Sequence, residues 1–231
     1  NTKRGRWRTI SMISAHRPVM VALYLALLLP SFVLLCRGLW RHDGRQAYWW
    51  GVAIVLVNTV FSWGDDSYSH VYRIAALTEE FSAGRPGMLL TNPTTGQVLP
   101  VFVFYSVLPY LPPTLLNLAG VPAVVAFKLA LCVQFLVLAW GLQALIDQTR
   151  EAGSTARRVT ADFLVAILFI QANYVYTLWC TRAALAELWV YSFIPWVAAA
   201  ILRPGGGRAL VALFLLHAIA HPIVLAQALI C

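Results

Sequence analysis

Residues 122–146 read PAVVAFKLALCVQFLVLAWGLQALI, a stretch with a single charge, Lys128, close to one end. About 20 apolar residues in an α-helix rise far enough to cross the hydrocarbon core of a bilayer. Lys128 lies near enough to the boundary for its ammonium to snorkel out. The same pattern recurs on both sides of this stretch. Apolar runs fill 19–36, 47–63, 163–181, 188–202 and 209–231, and aromatic Tyr48, Trp49, Trp50 and Trp63 flank the second of them as interfacial residues do. The run 98–119 is also apolar, but Pro100, Pro109, Pro112 and Pro113 interrupt it. Each proline removes a backbone donor and clashes with the preceding turn, so this segment is expected to be a short or re-entrant helix packed against the spans. The fold class that follows is all-α, a polytopic transmembrane bundle of about six membrane segments.

Composition leads to the same class. Hydrophobic residues make up 60% of the chain and charged residues 11%, against about 25% charged in an ordinary soluble domain. A soluble protein is excluded, and so is a disordered one, which needs high charge and low hydrophobicity. The net charge of +8 does not point to nucleic acid, because the basic residues sit in short runs between apolar stretches. Membrane lipids, not nucleic acid, are the expected surroundings.

Those basic runs carry the orientation. Residues 1–18 form a basic leader with Lys3, Arg4, Arg6, Arg8 and Arg17 and no acid, and further runs lie at 37–45, 150–158 and 203–208. The excess of Lys and Arg in cytoplasmic loops places 150–158 and 203–208 inside, so the turn at 182–187 falls outside, and the section after Trp63 does too if 98–119 does not fully cross, the alternative being that the prolyl segment crosses. The leader then also falls outside, against the rule. Cys36, Cys132, Cys180 and Cys231 all sit in or beside apolar runs without a CxxC pair, which reads as small buried hydrophobes. The chain opens on Asn1 and stops at Cys231 inside an apolar run. The expectation is the N-terminal part of a longer protein.

Four of the nine acids fall between Asp65 and Glu80. Asp66, His70, Arg73, Leu77 and Glu80 are spaced four, three, four and three apart, which is one face of a helix. Asp65 and Asp66 would cap its first turn, and Gly84 would end it. One reading is a capped amphipathic helix on the membrane surface, in the first external loop. The other is a site, in which a carboxylate beside an imidazole and a guanidinium accepts a proton from a hydroxyl or holds a divalent metal ion, while the cations bind phosphate. Charges at membrane level are a functional hypothesis by default. A second polar island, Thr181-Arg182-Ala-Ala-Leu-Ala-Glu187, is either an ion pair at the interface or part of the same external cavity. Asn173, Tyr174 and Tyr176 could add hydrogen bonds to a polar ligand. His217 and His221 share a helix face at i and i+4 and are weak candidates for metal ligands, with simple packing the alternative.

These residues resemble a family. Asp66-x3-His70-x2-Arg73, then Glu79 or Glu80, Gly84 and the prolyl, aromatic run with Pro100, Phe102, Phe104, Tyr105 and Leu108-Pro109-Tyr110 form one part. Arg182 to Glu187, with Pro195 following and a histidine in the next span, forms the other. Together they resemble the bacterial integral-membrane proteins labelled 6-pyruvoyl-tetrahydropterin-synthase-related, which are themselves similar to GT-C fold glycosyltransferases. The resemblance covers roughly residues 47–225. It implies an enzyme of the bacterial inner membrane, acting in the cell envelope, that takes a sugar from a polyprenyl-phosphate donor, the lipid-linked sugar being its partner. It implies Asp65 or Asp66 as the catalytic base, Arg73 and Arg182 as ligands of the donor phosphate, and His70 and Glu187 as residues orienting substrate or metal; Glu80 and Tyr174 complete the substrate-binding set. Two other classes stay open: a non-catalytic membrane subunit held by membrane-protein partners in a larger complex, and a transporter using Asp66, His70 and Arg73 as a proton relay. The transporter reading lacks an inverted repeat.

Overall fold

The computed structural model describes residues 2–85, 90–91, 98–99, 106–150, 155–170, 179, 184–203, 205–209 and 212. They are mostly helical, joined by short turns, with one short ladder. Helices α1 (Thr2–Trp40), α2 (Gly44–Phe61) and α3 (Ser67–Ser82) come first. Two strands follow, β1 (Leu90–Thr91) and β2 (Val98–Leu99), antiparallel with Leu90 opposite Leu99. After a single 3-10 turn (Leu108–Tyr110) come α4 (Leu111–Leu118), α5 (Ala123–Thr149), α6 (Ala156–Ile170) and α7 (Leu185–Leu202).

Three of these helices are long and apolar enough to cross a membrane: Pro18–Trp40 within α1, then α5 and α7. They mark the chain as a membrane protein. Their outward faces carry large apolar side chains, among them Leu29, Phe32 and Val33 on α1, Val133 on α5 and Ile194 on α7. A soluble surface does not expose such continuous apolar faces. Helix α2 falls outside this set because its first turns hold Arg45 and Gln46, and α6 because it is only 15 residues long.

The prolyl run contributes a short element, as its composition dictates. Pro112 and Pro113 sit in the first turn of α4, where the missing N–H costs no helical bond. Helix boundaries differ from the apolar runs where polar residues continue a helix into the interface. The polar stretch 147–162 is mostly helix: α5 carries on through Asp147 to Thr149, and α6 opens at Ala156 rather than near 163. The basic leader is not separate from the first span, since α1 is helical from Thr2 onward.

Contacts between helices fix their directions. α1 and α2 are antiparallel, with Gly38 against the Ala47 backbone at one end and Tyr24 Oη bonded to Asn58 Oδ1 (2.6 Å) near the other. α2 and α6 run parallel: a Cβ on Gly44 would come within 2.6 Å of Thr160 Cα, and Tyr48 packs on Phe163. Only glycine allows the first of these approaches, because the neighbour is backbone and cannot move aside. α5 runs against α2, with the buried Tyr48 hydroxyl donating to the Ala139 carbonyl (2.6 Å) and Trp49 Nε1 to Gln143 Oε1 (2.9 Å). α7 is parallel to α5, Trp196 Nε1 donating to the Val137 carbonyl (2.8 Å) across the face where Gly141 meets Trp196 and Pro195. The core lies between α2, α3, α5, α6 and α7, with Tyr48, Phe127, Phe135, Phe163 and Trp179 fully enclosed.

The result is a bundle with two chemically different ends. At one end Arg45 pairs with Asp147 (3.0 Å), Arg150 reaches the same carboxylate (3.5 Å), and Arg37, Arg41, Arg158 and Arg203 lie on the adjoining helix termini. At the other end lie the C-terminus of α2, helix α3, α4 and the first turns of α5 and α7. There Lys128 Nζ donates to the Thr59 carbonyl (2.9 Å) and to the Ser62 carbonyl, and sits over the Trp63 ring. The ammonium thus leaves the apolar face and satisfies the last carbonyls of α2, where a cation is favoured.

Candidate functional site

Helix α3 forms because its apolar positions, Ile74 and Leu77, recur at helical spacing and are wholly buried. Its end is set by Gly84. With φ +70 this residue turns left-handed, so that the Gly84 amide reaches the Phe81 carbonyl (3.0 Å) and the Arg85 amide the Glu80 carbonyl (2.9 Å), a Schellman closure. Its start differs from the capping pattern expected of Asp65 and Asp66. Asp66 occupies the N-cap position but makes no side-chain cap bond. Instead Ser67 Oγ accepts the Gly64 amide (3.0 Å), and Ser69 Oγ donates to the Asp66 carbonyl (2.8 Å). Asp66 has an αR backbone, whereas a capping residue normally takes the extended conformation that aims its oxygen at the following amides. Asp65 is exposed and Asp66 half-buried.

One turn on, the helix face gathers a compact polar cluster. His70 is buried at 5% exposure, and its Nδ1 lies 2.7 Å from the Tyr110 hydroxyl. Arg73 Nη1 donates to the same hydroxyl (2.8 Å). On the far side of the ring, the Leu185 amide at the start of α7 donates to His70 Nε2 (3.3 Å). An imidazole nitrogen that accepts an amide N–H carries no proton, so the ring proton belongs on Nδ1 and is donated to Tyr110. His70 is thereby held as the neutral Nδ1–H tautomer, and Tyr110 oxygen accepts from both His70 and Arg73. Phe127, fully buried at the start of α5, stacks on the imidazole with an interplanar angle of 20°. His70 thus ties together four elements: α3, the 3-10 turn, α5 and α7.

The other residues singled out from the sequence divide into three groups. Glu187 falls in the first turn of α7, where a carboxylate meets the favourable end of the helix dipole, and Leu185 of the same turn touches His70. Glu80 shares the α3 face but stands away from the cluster, at the far end of the helix. It is 8% exposed and accepts two bonds from Arg85, from Nε (2.5 Å) and Nη2 (2.8 Å). Tyr174, Arg182, His217 and His221 lie outside the described residues. Among the described residues no group of three His, Cys, Asp or Glu side chains is placed to hold a metal ion.

The Arg85 guanidinium, hydrogen-bonded to Glu80, holds that carboxyl below its usual value of 4.5. The ionised form is thus favoured in the folded chain. A group with a lowered folded pKa adds stability above its unfolded pKa and loses it as pH falls through the folded one. In thermal unfolding, the gap between the parent chain and Glu80→Gln is expected to be constant near neutral pH and to close as pH drops below about 4. A gap that persists unchanged into acid would show that the carboxylate charge is not what the pair contributes.

Sequence reading alone did not assign roles to Tyr110, Phe127, Arg85 or the Leu185 amide. Tyr110 had one signal, its place in the Leu108-Pro109-Tyr110 run. Comparison of the chain with family models, with curated proteins and with solved structures finds no match.

Proposed function

We propose that this chain is a GT-C type glycosyltransferase, or the part of one that holds its catalytic loop, with about six membrane segments. It transfers a sugar from a polyprenyl-phosphate donor to an acceptor hydroxyl at the external face of the bacterial inner membrane. The observation that carries this reading is the joining of His70 and Arg73 to Tyr110 just after the Asp65–Asp66 pair, at the bundle end opposite the arginine-rich one. The positive-inside rule assigns that arginine-rich end to the cytoplasm and the Asp end to the outside; the leader, at the other end of α1, is the exception to it.

The chemistry is a displacement at the anomeric carbon. An aspartate takes the proton of the acceptor hydroxyl as its oxygen bonds to the sugar, and the bond from sugar to phosphate breaks with its electrons retained by the phosphate. Arg73 and Arg182 are the groups to meet the developing phosphate charge, since guanidinium matches phosphate geometry. Tyr110 fixes Arg73 relative to His70, and Glu187 lies in the first turn of α7, two residues after the Leu185 amide that meets His70.

The test is donor dependence in reconstituted vesicles containing the full-length protein. Labelled sugar on polyprenyl phosphate should be transferred, while the same sugar on a nucleotide should not. Failure with every polyprenyl-phosphate sugar offered, on protein that remains folded, would remove the proposal.

A further inference from the structure

Between α5 and α7, at the arginine-rich end of the bundle, lies a cleft of about 490 Å3, within the size range of small-ligand sites. The chain makes it in two ways. Ala144, Ala199 and Ala200 line it with small side chains from both helices. After α7 the chain then turns back through Gly205 (φ +77) and Gly206, whose amide reaches the Arg203 carbonyl (3.0 Å) and which packs on the Ala200 carbonyl with no room for a side chain. This reversal puts Arg208 on the same rim as Arg203, with Gln148 on the rim and Trp196 in the wall.

The charge pattern separates this cleft from its neighbour. A second cleft at the same end, of about 570 Å3, is lined by Arg45 and Arg150 but also by Asp43. Both of its arginines are already paired with Asp147 (3.0 and 3.5 Å). Arg203 and Arg208, both exposed, form no ion pair among the described residues, and no acid lines their cleft. The Trp196 indole N–H is spent on Val137, so its ring offers an apolar wall below two guanidinium groups. An apolar floor under two guanidinium groups that form no ion pair among the described residues, open at the end of two membrane helices, suits a group with a phosphate above and acyl chains below.

We propose that this cleft binds the phosphate of an anionic phospholipid headgroup, with Arg203 and Arg208 as its ligands and Trp196 against the glycerol and upper chain. Basic pockets between membrane helices take anionic headgroups in this way, and each arginine near the surface contributes about 1 kcal/mol. The site is separate from the Asp65–Arg73 end and independent of the reading proposed there.

The experiment is native mass spectrometry of the purified full-length protein in detergent, titrated with phosphatidylglycerol or phosphatidylcholine. Phosphatidylglycerol should be retained and phosphatidylcholine not. The Arg203→Gln/Arg208→Gln double variant should weaken retention roughly thirtyfold, from two such contributions. Ala144→Leu, which fills the cleft and leaves its charge intact, should also lose the lipid, while Arg37→Gln/Arg41→Gln, at the same end but outside the cleft, should keep it. Equal retention by the cleft double variant, or equal loss by the outside one, would overturn the site in favour of general attraction to basic protein. Displacement of the lipid by millimolar inorganic phosphate would overturn the headgroup assignment and leave a free-phosphate site.

Discussion

An Asp65→Asn/Asp66→Asn chain, reconstituted with a polyprenyl-phosphate sugar that the parent uses, is expected to lose transfer by roughly 10²- to 10⁴-fold, the range a general base supplies. Asparagine preserves the side-chain shape and removes only the charge and basicity. The start of α3 does not depend on the Asp66 carboxylate as a cap, since it makes no side-chain cap bond. Its backbone carbonyl, which accepts the His70 amide (3.1 Å) and the Ser69 hydroxyl (2.8 Å), is untouched. Asp65 is exposed, and surface changes of this kind move stability by about 0.5 kcal/mol or less. Loss of transfer with an unchanged unfolding midpoint would assign the carboxylates to chemistry. Retained transfer in the double variant would sink the glycosyltransferase assignment, and the single variants would show which carboxylate acts.

Different parts of this arrangement were legible in the sequence to different degrees, for physical reasons. The runs at 122–146 and 188–202 could be read directly, because a membrane span is a local property: enough apolar residues without a break. Helix α3 was legible from its three- and four-residue spacing and from Gly84, whose left-handed turn is cheap only for glycine. Helix ends were less so. Residues 156–162 are polar yet helical, since Thr160 Oγ1 bonds the His42 carbonyl (2.8 Å) and Gly44 lies against its backbone. Nothing near Thr160 in the chain announces a partner so far away. The capping of α3 differs because aspartate caps only from an extended backbone, and Asp66 takes the αR conformation instead.

The site was half legible. His70 and Arg73 stood out as charges on one helix face, but what they hold is Tyr110, 40 residues from His70. Their other neighbours are Phe127 and the Leu185 amide, a backbone group that no residue type reveals. Glu80 shows the limit of reasoning from a helical face. Its spacing aligns it with His70, yet ten residues along a helix is about 15 Å, and its partner is Arg85, brought close by the Gly84 turn. A face groups residues by direction, while a site needs them grouped by distance.

That distinction makes the His70–Tyr110 contact the sharpest test of the architecture. His70→Leu is expected to cost about 1.5–4.5 kcal/mol in equilibrium unfolding in mixed micelles. The sum has two parts: an unsatisfied buried amide at Leu185 costs about 1–3 kcal/mol, and the lost aromatic stacking on Phe127 about 0.5–1.5 kcal/mol. Tyr110→Phe keeps the ring and removes the shared acceptor, leaving the His70 Nδ1–H and one Arg73 N–H without it. Its cost should be about 1–3 kcal/mol. The two losses should not add. Once His70 is gone, the Tyr110 hydroxyl has lost one of its donors, so a double-mutant cycle should return a coupling of about 0.5–3 kcal/mol, whereas sites that do not touch add to within about 0.5 kcal/mol. Strict additivity would mean that the hydrogen bond contributes nothing. A coupling in that range, with Tyr110→Phe also lowering transfer in protein that still unfolds at a normal midpoint, would make Tyr110 a positioning residue. It would act by setting Arg73 where a phosphate can reach it.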